Sequence, residues 1–193
     1  AILGSIIVVA YCLAGGIRAS IWTDAAQSFV MVVAMLLLCL GGIHTAGGLV
    51  DTYQKLTLVS SHYMDLLYTP AKWWGPYGVV LFVIGWLFAG FGVVGQPHIM
   101  VRFMAMRDPN LMRRTRFYYY AWYVVFYALT ICVGLISRLL IPEAGSFDSE
   151  LALPLLAQHL FPPVLIGLIL AGLFAATMST ADSQILSCTA SIT

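Results

Sequence analysis

The sequence predicts an all-α integral membrane protein, on three observations. Hydrophobic residues make up 61% of the 193-residue chain and charged residues only 9%, where a soluble domain carries about a quarter. Mean hydropathy is +0.94. The apolar residues are gathered into runs long enough to cross a bilayer, separated by connectors in which arginine, tryptophan and tyrosine collect. A net charge of +1 says nothing about nucleic acid, and no basic stripe laced with aromatics suggests it as a partner. Cys12, Cys39, Cys132 and Cys188 lie far apart in apolar segments without a CxxC pair. They read as buried free thiols, not as a disulfide or zinc framework. Both ends lie in apolar sequence without an initiator Met, which predicts an internal piece of a longer protein.

Five spans are predicted. The first, residues 1–14, closes at Gly15-Gly16, and the second, 21–43, carries Asp24 and Gln27 one turn apart near its start. Gly41-Gly42 and Gly47-Gly48 are expected to end it. The connector from His44 to Gly75 keeps recurrent leucines and aromatics, so a short surface-lying helix is expected there. Pro70, Lys72, Trp73 and Trp74 suit a membrane-water boundary. The third span, 77–106, is irregular, with Gly85, Gly90, Gly92, Gly95 and Pro97. Two readings are open for it: a helix broken around Gly92 to Pro97 that lines a cavity, or a kinked continuous one. Arg102, Arg107, Arg113, Arg114 and Arg116 cluster near the following turn. The fourth span, 117–140, opens on an aromatic belt from Tyr118 to Tyr123. Leu151 to Phe161 is expected to form an amphipathic helix on the membrane, and the fifth span covers 163–193.

The arginine cluster places the loop from Arg107 to Arg116 in the cytoplasm and the two long connectors outside. On that orientation Asp24 sits near the inner end of its span. Asp182 lies about nineteen residues, or roughly 28 Å, into a span that enters from outside. Both acids therefore fall towards the inner side of the bilayer. A carboxylate inside an apolar span is expensive unless something pairs with it. Ala176, Ser179 and Thr180 share one face of the last span, and their carbonyl and hydroxyl oxygens are the donors a hard cation prefers. Small residues also serve helix packing, so both readings stand for these three. Arg102, near the inner boundary, is read as snorkelling to lipid phosphate, with gating of the inner cavity as the alternative. His44, His62 and His159 have no metal-site spacing.

Three motifs, in order, carry a resemblance: Gly15-Gly16 with Trp22-Thr23-Asp24-Ala25-Ala26-Gln27, then Gly95-Gln96-Pro97-His98 to Met104, then Ala175-Ala176-Thr177-Met178-Ser179-Thr180-Ala181-Asp182-Ser183. The chain resembles the sodium:solute symporter family, closest to its bacterial sodium/proline branch. The resemblance implies the leucine-transporter-like inverted-repeat fold, of which this chain would be the fragment from the fourth to the eighth core helix. It implies that the third span is broken, at Gly92, Gly95 and Pro97. It implies a sodium ion on the Ala176 carbonyl and the Ser179 and Thr180 hydroxyls, facing a first core helix in the remainder of the protein. Some members hold a second sodium with an acid at the position of Asp24. Asp182 and Ser183 then complete a second cation or proton site. The solute pocket is implied beside the broken helix, with Gln96 first and Phe91, Val93 and Trp86 after it. Proline symporters tend to carry Trp and Tyr where this chain has Ala89 and Val93, so the solute class is drawn wider than proline, to small amino and carboxylic acids. The implied activity is sodium-coupled import in the plasma membrane, with lipid and a small solute as partners; the alternative is a solute-sensing domain joined to a histidine kinase. No HExxH and no nucleophile-base spacing points to an enzyme.

Overall fold

A computed structural model describes residues 2–60, 62–65, 77–106, 108–141 and 148–192, and the regular elements among them are helical. In chain order they are α1 (Ile2–Ala46), α2 (Leu49–Val59), α3 (Gly78–Val94), α4 (Pro97–Met104), α5 (Met112–Leu140), α6 (Ala152–Leu160) and α7 (Pro163–Ile192). Single 3₁₀ turns at Pro109–Leu111 and Ser149–Leu151 lead into α5 and α6. The helices α1, α5 and α7 are each long and apolar enough to cross a membrane, and the bent pair α3–α4 makes a fourth if counted as one broken span. Pro70, Lys72, Trp73, Trp74 and Arg107 lie outside the described residues.

The expected spans 1–14 and 21–43 both fall within α1, whose 45 residues are interrupted at Gly16, with φ 53° and ψ −145°. Glycine adopts that combination readily and L-residues with a Cβ do not. The helix then runs through Gly41-Gly42, correcting the expectation that these glycines end it, and stops at Ala46. The stop is a reversed-turn cap. The Gly48 N–H donates to Ile43 O at 2.8 Å and the Gly47 N–H to His44 O at 3.2 Å, with φ near 103° at both glycines. The Lys55 ammonium, in the second turn of α2, donates to the Ala46 carbonyl at 2.6 Å.

Gly42 has a different task. A Cβ there would lie 2.4 Å from Ile136 Cγ2, and one on Gly172 would lie 2.9 Å from the Cβ of Ala34. Glycine at these positions lets α5 and α7 close on α1, the packing logic of helices in an apolar solvent. The resulting core joins Ala34, Met35, Leu38 and Cys39 of α1 to Val133 and Ile136 of α5, Leu156 and Ala157 of α6 and Ile169 of α7. The helix expected over 151–161 is present, but its Leu156 and Ala157 are fully buried. It packs on its neighbours and does not merely float on lipid.

The pair α3–α4 bends by 57° at Gly95-Gln96. Among the described residues α3 meets only α4, whereas α4 packs on α7. The break thus separates an apolar arm from a short helix that docks on the bundle.

Candidate functional site

The second half of α7 turns polar while remaining helical, and two of its polar residues, Asp182 and Ser183, face inward. Asp182 is wholly inaccessible, and Ser183 is buried. An unpaired buried carboxylate costs several kcal/mol, of order 3–5 when a partner is lost. Here the Tyr11 hydroxyl donates to Asp182 Oδ2 at 2.9 Å. Ser183 Oγ lies 3.1 Å from Asp182 Oδ1 and 2.8 Å from the Ser179 carbonyl, so its single proton serves one of them at a time.

The break at Gly16 matters to this arrangement. Tyr11 and Asp24 would stand about 20 Å apart along a straight helix. Changing direction at Gly16 lets both ends of that stretch address the same turn of α7. Asp24 arrives there through Arg102 of α4. One guanidinium nitrogen of Arg102, Nη2, donates to Asp24 Oδ2 and to Ser183 Oγ. The same nitrogen lies 3.4 Å from Ser20 Oγ and 3.9 Å from Asp182 Oδ1. Arg102 is therefore an ion-pair partner of Asp24, and the expectation that it snorkels to lipid phosphate is corrected. The reason is the 57° bend, which carries α4 across α7 and not onward along α3.

One guanidinium faces two carboxyl groups in a region of low dielectric, where a second positive charge would be favoured. Two further acceptor atoms, Asp24 Oδ1 and Gln27 Oε1, are buried without a hydrogen-bond partner. Buried acceptors without donors are uncommon, and each carries a desolvation cost. The cluster is rich in oxygen and short of positive charge. Chemically it suits a small cation or a proton.

The structure brings together Asp24, Asp182 and Ser183 as one locus. It leaves Ala176, Ser179 and Thr180 on α7 alone. There the Thr180 hydroxyl donates to the Ala176 carbonyl at 3.2 Å, and Thr180 is exposed. Ala176 and Ser179 are half-buried, with Ala176 lining an apolar cleft of about 160 Å³ between α1, α5, α6 and α7. Trp86, Phe91 and Val93 lie exposed on α3, and Gln96 is exposed in the break. These four do not meet the Asp24–Asp182 locus. The break itself is narrower than expected: Gly92 stays helical, Gly95 ends α3, Gln96 is extended and Pro97 opens α4. Sequence reasoning missed Arg102 as a member of the site, although an arginine in an apolar span with two acids elsewhere was a usable signal. It also missed Tyr11 and Ser20, whose roles depend on the turn at Gly16 and leave no local trace.

A family model described as the sodium:solute symporter family matches residues 1–193. The osmoregulated proline transporter OpuE of Bacillus subtilis is 30% identical over 193 residues, which covers 99% of this chain and 38% of that protein. The sodium/pantothenate symporter of Haemophilus influenzae is 32% identical over 179 residues, covering 91% of this chain and 35% of that protein. The sodium/proline symporter of Escherichia coli is 30% identical over 196 residues, 98% of this chain and 38% of that protein. The chain thus spans little more than a third of the length of these curated relatives. No solved structure matches it.

Proposed function

This chain belongs to the sodium:solute symporter family, and from that premise we propose that it is part of a sodium-coupled transporter importing a small solute by alternating access. The observation that carries the reading is the buried meeting of Asp24 and Asp182, with one arginine between them and Asp24 Oδ1 left without a partner. A helix bundle with a purely structural role gains nothing from two acids at one depth. A carrier of positive charge does. Each elementary charge moved through 100 mV supplies about 2.3 kcal/mol, enough to drive solute accumulation.

The ion occupies two loci on this reading. Ala176, Ser179 and Thr180 form half of the principal sodium site, and the missing ligands come from a helix in the remainder of the protein. Asp24, Asp182 and Ser183 form the second locus, for a further sodium or a proton. The fold is the leucine-transporter-like inverted repeat. In support, Gly16 divides α1 into two helical segments and Gly95-Gln96 divides the third expected span into α3 and α4. Gln96, Phe91, Val93 and Trp86 face the solute once the remaining helices are in place, and their exposure leaves them available for that contact. The solute is proline or another small amino or carboxylic acid, a range in keeping with relatives named for proline and pantothenate. The Arg113–Arg116 end of α5 faces the cytoplasm of the plasma membrane.

Uptake by the full-length protein in proteoliposomes, with sodium, lithium or protons as the imposed gradient, tests the reading. Proline and pantothenate are the first solutes to offer. Sodium-driven accumulation is expected, and Ser179→Ala with Thr180→Ala should raise the sodium concentration for half-maximal uptake. Equal uptake under every gradient, or an unchanged sodium requirement in the double variant, would overturn the corresponding assignment.

A further inference from the structure

We propose that Arg102 is a tethered counter-cation: it occupies the Asp24–Ser183 locus when no free cation is bound, and a binding cation displaces it. The inference rests on the sodium-coupled reading above and adds a regulation of its second locus. Arg102 Nη2 donates to Asp24 Oδ2 and to Ser183 Oγ. These are two of the oxygens assigned to the transported ion. A sodium ion on these same oxygens would stand within a few ångströms of the guanidinium, and two cations that close repel strongly where the dielectric is low.

The exchange is balanced in charge. One monovalent cation leaves the two carboxylates as another arrives, so the buried region keeps the same net charge throughout. Arginine cannot vacate the site by losing its proton, because its guanidinium stays charged at any pH a protein meets. Movement is its only way out, and the structure provides room for it. The Arg102 side chain is 36% exposed while Asp24 is 13% and Asp182 0% exposed. The acids are fixed inside the bundle and the arginine stands at its edge. Arg102 also lies in the last turn of α4, a helix of eight residues. That helix packs on α7 but reaches α1 through this side chain. Releasing Arg102 therefore unties α4 from α1, so that occupancy of the locus is communicated to the broken pair α3–α4.

The full-length protein in nanodiscs allows a direct test with sodium alone as the probe. Radioactive sodium binding is measured in parallel with modification of Arg102 by phenylglyoxal, read by mass spectrometry of the peptide that carries it. Choline replaces sodium at constant ionic strength. The expected result is that modification of Arg102 rises with sodium and saturates over the concentration range in which sodium binds. Sodium binding with flat or falling modification of Arg102 overturns the exchange and leaves the sodium reading standing. No sodium binding by the wild-type protein overturns both. The variant Arg102→Gln supplies a second measurement. If Arg102 holds the locus for about nine-tenths of the time, its removal should lower the half-saturating sodium concentration about tenfold. Arg102→Lys, which keeps the charge without the planar fork, should lie between the two. An unchanged or raised half-saturation in Arg102→Gln speaks for sodium binding beside the arginine, and sinks the exchange.

Discussion

The hydroxyl of Tyr11 donates a hydrogen bond of 2.9 Å to Asp182 Oδ2, joining the first turns of α1 to the second half of α7. It is the contact that gives the inaccessible carboxylate a donor from outside its own helix and from a group other than Arg102. Replacing Tyr11 by Phe keeps the ring and removes the donor. The expected loss is about 1–3 kcal/mol, the cost of leaving a buried acceptor unsatisfied. Thermal unfolding of the full-length protein in detergent measures it. A melting temperature equal to wild type would mean that water or another group serves Asp182 equally well.

Gly16 holds the positive φ that redirects α1, and a Cβ added there meets no atom within 4 Å. Any loss in Gly16→Ala is therefore a backbone effect and not a clash. About 1–3 kcal/mol is expected for forcing an L-residue into that conformation. The variant should also lose the Tyr11 contribution, so that Gly16→Ala and Tyr11→Phe combine less than additively in a double-mutant cycle. Strict additivity would show that the turn at Gly16 does not position Tyr11.

Asp24 and Asp182 differ in what surrounds them, and their amide variants should differ accordingly. Asp24→Asn leaves Arg102 without its close carboxylate and takes away a proposed cation ligand. Breaking a buried pair in this way costs about 3–5 kcal/mol when the remaining charge stays buried, and less here because Arg102 can turn outward. Asp182→Asn keeps an oxygen for the Tyr11 hydroxyl, turns an NH2 toward Ser183 and loses the charge. Both should raise the sodium concentration for half-maximal uptake, with the larger loss of folding stability in Asp24→Asn. If neither variant changes the sodium dependence, the second locus does not exist.

Cys39 of α1 and Cys132 of α5 are free thiols whose sulfur atoms lie 2.6 Å apart. A diamide oxidant, which accepts two electrons and two protons, should couple them into a cross-link between the two helices. Mass spectrometry of the linked peptides checks this, with Cys39→Ser as the control. Cys12 and Cys188 have no such partner thiol beside them among the described residues and should stay reduced. Because the pair sits in the core, a cross-link there should raise the melting temperature.

Where the helices run was legible in the amino-acid order, because a span is a local property: enough consecutive apolar residues must leave water together. The cap at Gly47-Gly48 was legible for the same reason, since positive φ at a helix end favours glycine wherever it occurs. Gly41-Gly42 misled because a glycine that ends a helix and one that admits a neighbour have the same letter. Only Ile136, arriving from α5, tells them apart. Hydropathy and charge gave the two acids only an expected common depth. They did not reveal the partner.

The sequence by itself thus determined the membrane class, the course of most helices and the oxygen-bearing residues of the last span. The tertiary structure decided which of those residues meet. It turned α1 at Gly16 so that Tyr11 reaches Asp182, and bent α3–α4 at Gly95-Gln96 so that Arg102 reaches Asp24 and not lipid. The physical reason is that spans are chosen by transfer of neighbouring residues out of water, which order along the chain records. Charge pairing depends instead on the angles between helices, set at two short breaks and by packing of residues far apart in the chain.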